Sequence, residues 1–596
     1  MYEDEITGKA YDARLMRRVL TYTRPYIRII VFGVILTLLA SFLQLLGPYL
    51  TKLAIDDYIA VNDIGGLTIV LIIYFVALIL IFITQYAQIY VTQFFGQQLM
   101  YDIRSKIFVH LQSLNLRFFD KNPVGRLMTR VTTDVESLNQ MFTQGIVTIF
   151  GDIFLLIGII ISLLYLDIHL ALWTFSVIPA LFIITFIFRS KVRAAFRQIR
   201  KWIAQINTYV QENLTGMSIV QIFNRSRKNY QLFTEINMEH TQAHVKTVFY
   251  YALFYPAVEL VSAFAIALVI WRGGIYKLEG ITTFGALVAF IQYAQMFFRP
   301  ISDLSEKYNI LQQAMASSER IFKLLDTRPE ILPPEKVKKI SPIQGYIDFE
   351  NVNFAYNNSE YVLKDISFSL QAGESVAVVG HTGAGKTSLI NILGRQYLFQ
   401  SGDIRIDHVS LKDWDIASLR KEMAIVLQDV FLFSGTVREN IRLGNREITD
   451  KAIEWAVRQV NAHHFIAQLP QEYDTLVKER GATLSLGQKQ LISFARALVR
   501  DPRILILDEA TSSVDTETEF YIQDALKKLM KGRTSLIIAH RLSTIKHVDR
   551  IIVMHKGTIR EIGTHADLMA KQGLYFQLYQ LQYKYQELSY QSHKSA

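Results

Sequence analysis

The chain has 596 residues, 51% of them hydrophobic and 19% charged, with a formal net charge of +10. It contains no cysteine, which excludes disulfides, thiolate metal sites and cysteine nucleophiles. The basic surplus raises nucleic-acid binding as a class, but the Arg and Lys residues cluster beside apolar runs, which argues against it.

The polar, acid-containing start (MYEDEITGKAYDARL) lacks the form of a cleavable signal peptide, so the first span is expected to act as its own insertion signal. Six stretches reach the roughly 20 mostly apolar residues that a membrane helix needs. They predict spans at about 28–50, 64–101, 137–166, 168–188, 247–271 and 280–298, interrupted by only two carboxylates, Asp152 and Glu259. The second stretch exceeds a bilayer, and its polar far end (QYAQIYVTQFFGQQLM) predicts one helix that continues into water.

Arg and Lys number 22 in residues 1–28, 102–135 and 189–246, against three in the short alternating connections. The positive-inside rule then predicts a multi-pass protein of the cytoplasmic (inner) membrane with both termini in the cytoplasm. The basic surplus marks the cytoplasmic membrane face rather than a nucleic-acid groove. The two inside excursions run about 34 and 58 residues and are rich in helix formers. Hairpin arms of about 17 residues would project roughly 25 Å, far enough to reach a second domain. Ordinary connecting loops are the alternative, disfavoured because the longer excursion has no Gly/Pro-rich linker.

Residues 326–345 (DTRPEILPPEKVKKISPIQG) are rich in proline and charge and predict a linker between a membrane domain at 1–325 and an α/β domain at 346–582. There, ESVAVVGHTGAGKTSLINIL reads as a strand, a glycine loop and a helix. Gly380, Gly383, Gly385, Lys386 and Thr387 fit the G-x-x-x-x-G-K-[ST] phosphate loop, with His381, Thr382, Ala384 and Ser388 completing the ATP-binding segment. The glycines let backbone N–H groups approach phosphates, and the helix N-terminus adds its positive dipole end. Lys386 would reach the β- and γ-phosphates, and Thr387 would ligate Mg²⁺. A glycine-rich turn is the alternative, set aside because the pattern stands in its strand–loop–helix context.

About 120 residues on, ILILDEATSSVD ends an apolar strand in two carboxylates. Asp508 suits a Mg²⁺ role, and Glu509 suits polarisation of the water attacking the γ-phosphate. A solvated strand end is the alternative, set aside because a phosphate loop lies upstream.

With these motifs in order, the second half resembles an ABC-type ATPase domain. The whole chain resembles an ABC exporter half-transporter of the multidrug type: a polytopic helical membrane domain fused to an α/β P-loop domain. The resemblance implies ATP and Mg²⁺ as ligands and a second half-transporter as partner. It makes Tyr356 in NFAYNN the adenine-stacking aromatic. Gln428 in IVLQDVFLF becomes the Q-loop residue that senses Mg²⁺ and water. Ser485, Leu486, Gly487 and Gln488 in LSLGQKQ become the signature that faces the opposite ATP, Asp515 the D-loop residue, and His540 in IIAHRLST the switch histidine at the γ-phosphate. Residues 115–125 and 212–224 resemble the family's coupling helices.

The usual signature is LSGGQ, and Leu486 departs from it; Lys478 also replaces a glycine common in the preceding segment. Signature backbone must approach the γ-phosphate, and a Leu side chain adds bulk and restricts φ. A full hydrolytic set beside an altered signature suits a heterodimer in which one of two ATP sites is weakened. A homodimer stays open, because Ser485 and Gly487 are retained.

Polar groups inside spans tend to face a cavity or a partner. Asp152, Glu259, Gln44, Gln292 and Gln295 are candidates for a substrate cavity, with Phe249, Tyr250, Tyr251, Phe254, Tyr255 and Phe298 as aromatic lining. Interhelical hydrogen bonding by the glutamines and interfacial anchoring by the aromatics are the plain alternatives. Two acids would favour cationic amphiphiles. The expected function is ATP-driven efflux of a hydrophobic or amphipathic compound (drug, lipid or peptide). An ATP-gated channel or regulator on the same scaffold, or a lipid flippase acting as a homodimer, is the alternative. Residues 583–596 are a Tyr- and Gln-rich tail, expected to continue a terminal helix that frays.

Overall fold

The computed structural model describes residues 12–330, 343–357, 360–508, 516–539 and 545–582, less some side chains near 298–306 and at 479 and 516–517. The tail 583–596 and most of the linker therefore lie outside the described residues. By contacts the chain forms two units, Met1–Gln112 with Gly125–Thr327 and Ser113–Val124 with Arg328–Ala596.

The first unit is helical. An amphipathic helix, α1 (Ala13–Thr23), is capped by the Asp12 carboxylate, which accepts from the Arg14 and Leu15 N–H groups. It leads into α2 (Ile27–Leu53) and α3 (Ile64–Ser113). At 50 residues α3 is about 75 Å long, more than twice a hydrocarbon core, so its polar end does continue as helix beyond the bilayer. The short α4 (Leu116–Lys121) belongs to the second unit. Residues Val124–Leu166 form one helical rod with π-turns at Arg130–Asp134 and Met141–Ile146, its last part being α5 (Val147–Leu166).

The expected span 168–188 is not one straight helix. A helix Ile168–Phe175 stops, and α6 (Ile178–Thr215) starts afresh. Pro179 explains the break: lacking an N–H, it is favoured in a helix's first turn and disfavoured in its interior. A short helix, α7 (Met217–Ile222), turns the chain into α8 (Ser226–Leu278). The last helix, α9 (Phe284–Leu325), begins four residues later than the expected 280, because Gly280 takes φ +74° and Thr283 caps the new helix at Ala286 N–H. Asp56 completes this start by accepting from the Gly285 N–H at 2.8 Å. Among the described residues, five helical rods are long and apolar enough to cross a membrane, and Phe284–Phe297 is a shorter apolar run at the head of α9.

In the second unit an antiparallel sheet contains β1 (Ile347–Phe354), β2 (Leu363–Leu370) and β4 (Ser401–Ile406), while β3 (Ser375–Val379) belongs to the six-stranded sheet. That sheet also holds β5 (Met423–Val426), β6 (Ile504–Asp508), β7 (Thr534–Ile538), β8 (Arg550–His555) and β9 (Thr558–Gly563), in the order β9-β8-β3-β7-β6-β5. β6 and β7 are buried at every position, as befits parallel strands covered on both faces. The expected linker ends earlier than 345: Ile343 is 2% exposed in the core, and Asp407 accepts from the N–H groups of Gln344, Gly345 and Tyr346.

Candidate nucleotide site

Sheet topology brings the distant motifs together. β3, β7, β6 and β5 are parallel neighbours, so their C-terminal ends open on one edge, where open α/β sheets bind ligands. The phosphate loop follows β3, Asp508 ends β6, and Gln428 lies exposed just beyond β5. Register sets Ile538 of β7 beside both Val378 and Asp508. Glu509, Asp515 and His540 lie outside the described residues.

The loop's glycines are required for two different reasons. A Cβ on Gly380 would stand 2.3 Å from the Met554 carbonyl oxygen, and one on Gly385 would stand 2.7 Å from Leu363. Gly383 has open space within 4 Å, but its φ of +82° still disfavours other residues. His381 and Thr382 are exposed and Ala384 is buried. Gly385 caps α10 (Lys386–Leu393), aiming the N-terminus of this helix at the loop. Lys386 is 7% exposed, and its Nζ donates to the carbonyls of Gly380 at 2.8 Å and His381 at 3.1 Å. Burial pushes the Lys386 ammonium pKa down, against the pull of Asp508.

Asp508 is 6% exposed, and burial raises its carboxyl above the ordinary value. The Lys386 charge and a hydrogen bond from Thr387 oppose that rise, while the Asp429 charge adds to it. Asp508 Oδ1 has no hydrogen-bond partner among the described residues. A buried carboxylate oxygen left unsatisfied beside a threonine hydroxyl is an oxygen donor set that fits a small divalent cation. Asp429 escaped the motif reading; its adjacency to Gln428 was the available signal.

Tyr356 is held at its far end. Its hydroxyl lies 3.1 Å from Ser388 Oγ and accepts from Asn391 Nδ2 at 3.1 Å, and its ring meets Phe354 and Tyr397 edge-on. Ser485 caps α11 (Leu486–Leu498): its hydroxyl accepts from Gln488 N–H at 3.2 Å, and Gln488 Oε1 accepts from Ser485 N–H at 3.0 Å. Leu486 is the first helical residue, 41% exposed, and Gly487 is buried. Neither Leu486 nor Lys478 is among the non-glycine residues of positive φ, so the backbone there is built without glycine.

Residues 30–301 match the family described as ABC transporter transmembrane region, and residues 363–512 match the ABC transporter family. The Bacillus subtilis (strain 168) protein YknV, named an uncharacterized ABC transporter ATP-binding protein, is 40% identical over 582 residues, 97% of this chain and 96% of its own. The chain belongs to the ABC transporters. An ATP-dependent lipid A-core flippase of Syntrophus aciditrophicus (strain SB) is 36% identical over 574 residues, covering 96% of this chain and 95% of the flippase. A B. subtilis protein with a multidrug export ATP-binding/permease designation, YgaD, is 35% identical over 575 residues, 95% of this chain and 99% of its own. The transporter is a multidrug-type half-transporter that binds ATP and hydrolyses it to drive transport.

Of the two segments that resemble coupling helices, α4 lies within the transporter's ATPase unit. Arg117 donates to the Tyr356 carbonyl at 2.7 Å, Asn115 donates to Glu330 at 2.8 Å, and the Tyr397 hydroxyl donates to Asp120. Burial and the Asp120 bond raise the Tyr397 phenol pKa far above normal. The second, α7, carries an exposed apolar tip, with Ile219, Ile222 and Phe223 at 60%, 76% and 69%.

The candidate cavity residues are spread over α2, α5, α8 and α9. Asp152 forms an ion pair with Lys307 of α9. Glu259 and Gln295 are exposed, while Gln44 and Gln292 are half-buried. Phe254 is buried, stacked on Phe188 at 3.9 Å; Phe249 and Tyr255 are exposed, Tyr250 and Tyr251 are half-buried, and the Phe298 side chain lies outside the described residues. A cavity of about 320 Å³ is lined mainly by apolar and tyrosine side chains, including Phe42, Leu46, Tyr49, Phe154 and Tyr165, with Ser162 among them and none of the five predicted polar residues.

Proposed function

We propose that this half-transporter exports a hydrophobic or amphipathic compound, whether drug, lipid or peptide, across the cytoplasmic membrane by alternating access. The reading rests on one observation above others: long apolar helices share a chain with a phosphate loop and a buried Asp508 at the edge of one sheet. The 22-to-3 division of Arg and Lys supports placing both termini and the ATPase domain in the cytoplasm.

ATP would lie with its phosphates on residues 380–388 and its adenine on Tyr356. Thr387 and Asp508, joined by Gln428, would hold Mg²⁺, which when bound offsets phosphate charge. Lys386 holds the β- and γ-phosphates, Glu509 orients and deprotonates the attacking water, and His540 contacts the γ-phosphate. Asp515 and the exposed tip of α7 would meet the second half-transporter. In the test, Glu509→Gln abolishes turnover yet leaves ATP binding intact; a variant hydrolysing at the normal rate removes Glu509 from this role.

The partner is a different half-transporter carrying LSGGQ, which completes the site on Lys386 and Glu509. Leu486, partly exposed at the head of α11, supports this pairing because its side chain occupies the surface where signature backbone must reach phosphate. A homodimer is the second reading, supported by the ordinary helical start at Leu486 and the retained Ser485 and Gly487. Robust ATPase from the purified chain alone would defeat the heterodimer.

A further inference from the structure

We propose that the outer face of α6, just beyond the apolar run that ends at Phe188, is a docking surface for anionic phospholipid headgroups of the leaflet it adjoins. Arg189, Arg193, Arg197, Arg200 and Lys201 are all exposed. At about 100° per residue they share an arc of roughly 120° along α6. The buried residues Val192, Ala195 and Ile199 lie on the opposite side. Five of the six cations between residues 189 and 201 therefore share one side of α6, while Lys191, also exposed, lies off it.

This stripe of five also lacks compensating acids. Residues 168–211 contain no Asp or Glu, and none of the five cations forms an ion pair among the described residues. Arg189 instead stands over the Tyr308 ring at 4.4 Å, and Lys201 over Trp202 at 5.1 Å. Arg189–Arg193, Arg193–Arg197 and Arg197–Lys201 are like-charge pairs four apart, a spacing that destabilises a helix. A positive-inside bias accounts for basic residues somewhere in this excursion. It does not account for an acid-free stripe that repels itself and begins where the apolar run stops; an anionic surface at that level does.

Depth selects the occupant. At 1.5 Å per residue, Arg193 lies about 7 Å and Arg197 about 13 Å beyond Phe188. The headgroup layer is about 5–8 Å thick and the Debye length about 8 Å, so Arg189, Arg193 and Arg197 fall within reach of lipid phosphates. Arg200 and Lys201, at about 18–20 Å, mark the outer limit. The inference rests on residues 168–188 spanning the membrane and is independent of the exported compound and of the partner's identity.

The full chain is purified and its retained lipids are counted by native mass spectrometry in mixtures of phosphatidylglycerol and phosphatidylcholine. Wild type is expected to prefer phosphatidylglycerol, and the preference to fall as salt rises. Arg193→Gln/Arg197→Gln should weaken it by about 25-fold, at roughly fivefold per cation. Arg193→Lys/Arg197→Lys should retain it, which separates lost charge from misfolding. Arg225→Gln/Arg227→Gln, at the far end of α8 and about 30 Å from its apolar run, should leave it unchanged. Equal retention of the two lipids by wild type overturns the proposal, as does an undiminished preference in the Gln pair. Displacement of phosphatidylglycerol by millimolar inorganic phosphate would make the stripe a free-anion site and also overturn it.

Discussion

Replacing Leu486 with glycine should move stability and activity in opposite directions. Leu486 is 41% exposed, so rather more than half of its surface is covered. A fully buried leucine contributes about 1.5–3 kcal/mol, which puts the lost burial near 1–1.5 kcal/mol. Glycine at the first helical position adds a fraction of the roughly 1 kcal/mol that it costs inside a helix. The sum is about 1.5–2 kcal/mol, or a fall of about 5 °C in the melting temperature of a domain this size. If the leucine is what weakens the second ATP site, restoring close backbone contact with a phosphate should recover about 1.5–3 kcal/mol, a rise in turnover of about tenfold or more. The assay is ATP hydrolysis by the purified chain alone, beside a thermal melt of the same sample. Misfolding cannot raise turnover while lowering the melting temperature. A Leu486→Gly protein that melts lower but hydrolyses ATP no faster would refute the assignment of weakness to this side chain.

Other expectations follow from the site. Burial raises the Asp508 pKa, so its neutral form stabilises the fold below the ordinary value of 3.8 and that contribution is lost as pH rises through the raised value. Asp508→Asn should therefore melt higher than wild type at neutral pH, the gain shrinking toward pH 4, while Mg²⁺-dependent turnover falls by about a hundredfold or more. Lys386→Ala should weaken ATP binding by about 10- to 100-fold in a titration with labelled nucleotide. Gly385→Ala should destabilise more than Gly383→Ala, because only the former meets Leu363 at 2.7 Å; the latter should cost about 1 kcal/mol for its backbone alone. A double-mutant cycle of Asp120→Ala and Tyr397→Phe should give a coupling of about 1–2 kcal/mol in denaturation of the solubilised protein.

What the sequence disclosed tracks how local each constraint is. The phosphate loop was legible because glycine, lysine and threonine must occur at fixed spacing for one short backbone path. The apolar runs were legible because a bilayer imposes length and composition together. The Asp152 ion pair was not legible because its partner Lys307 lies 155 residues away, a separation over which no periodicity operates. Pro179 marked a helix start in the middle of an apolar run, where hydrophobicity alone suggested continuity. Asp429 acts on Asp508 only through the neighbouring register of β5 and β6, which pairwise motifs do not encode.

The attachment of α4 bears on how this protein can be taken apart. A hybrid that joins a foreign membrane region to this ATPase domain at residue 325 would import a stranger's residues 113–124. Tyr397 would then lose its carboxylate acceptor, and the Tyr356 carbonyl its guanidinium donor. A viable graft should carry that twelve-residue piece along with the catalytic domain, so the natural seam crosses the chain at three points rather than one.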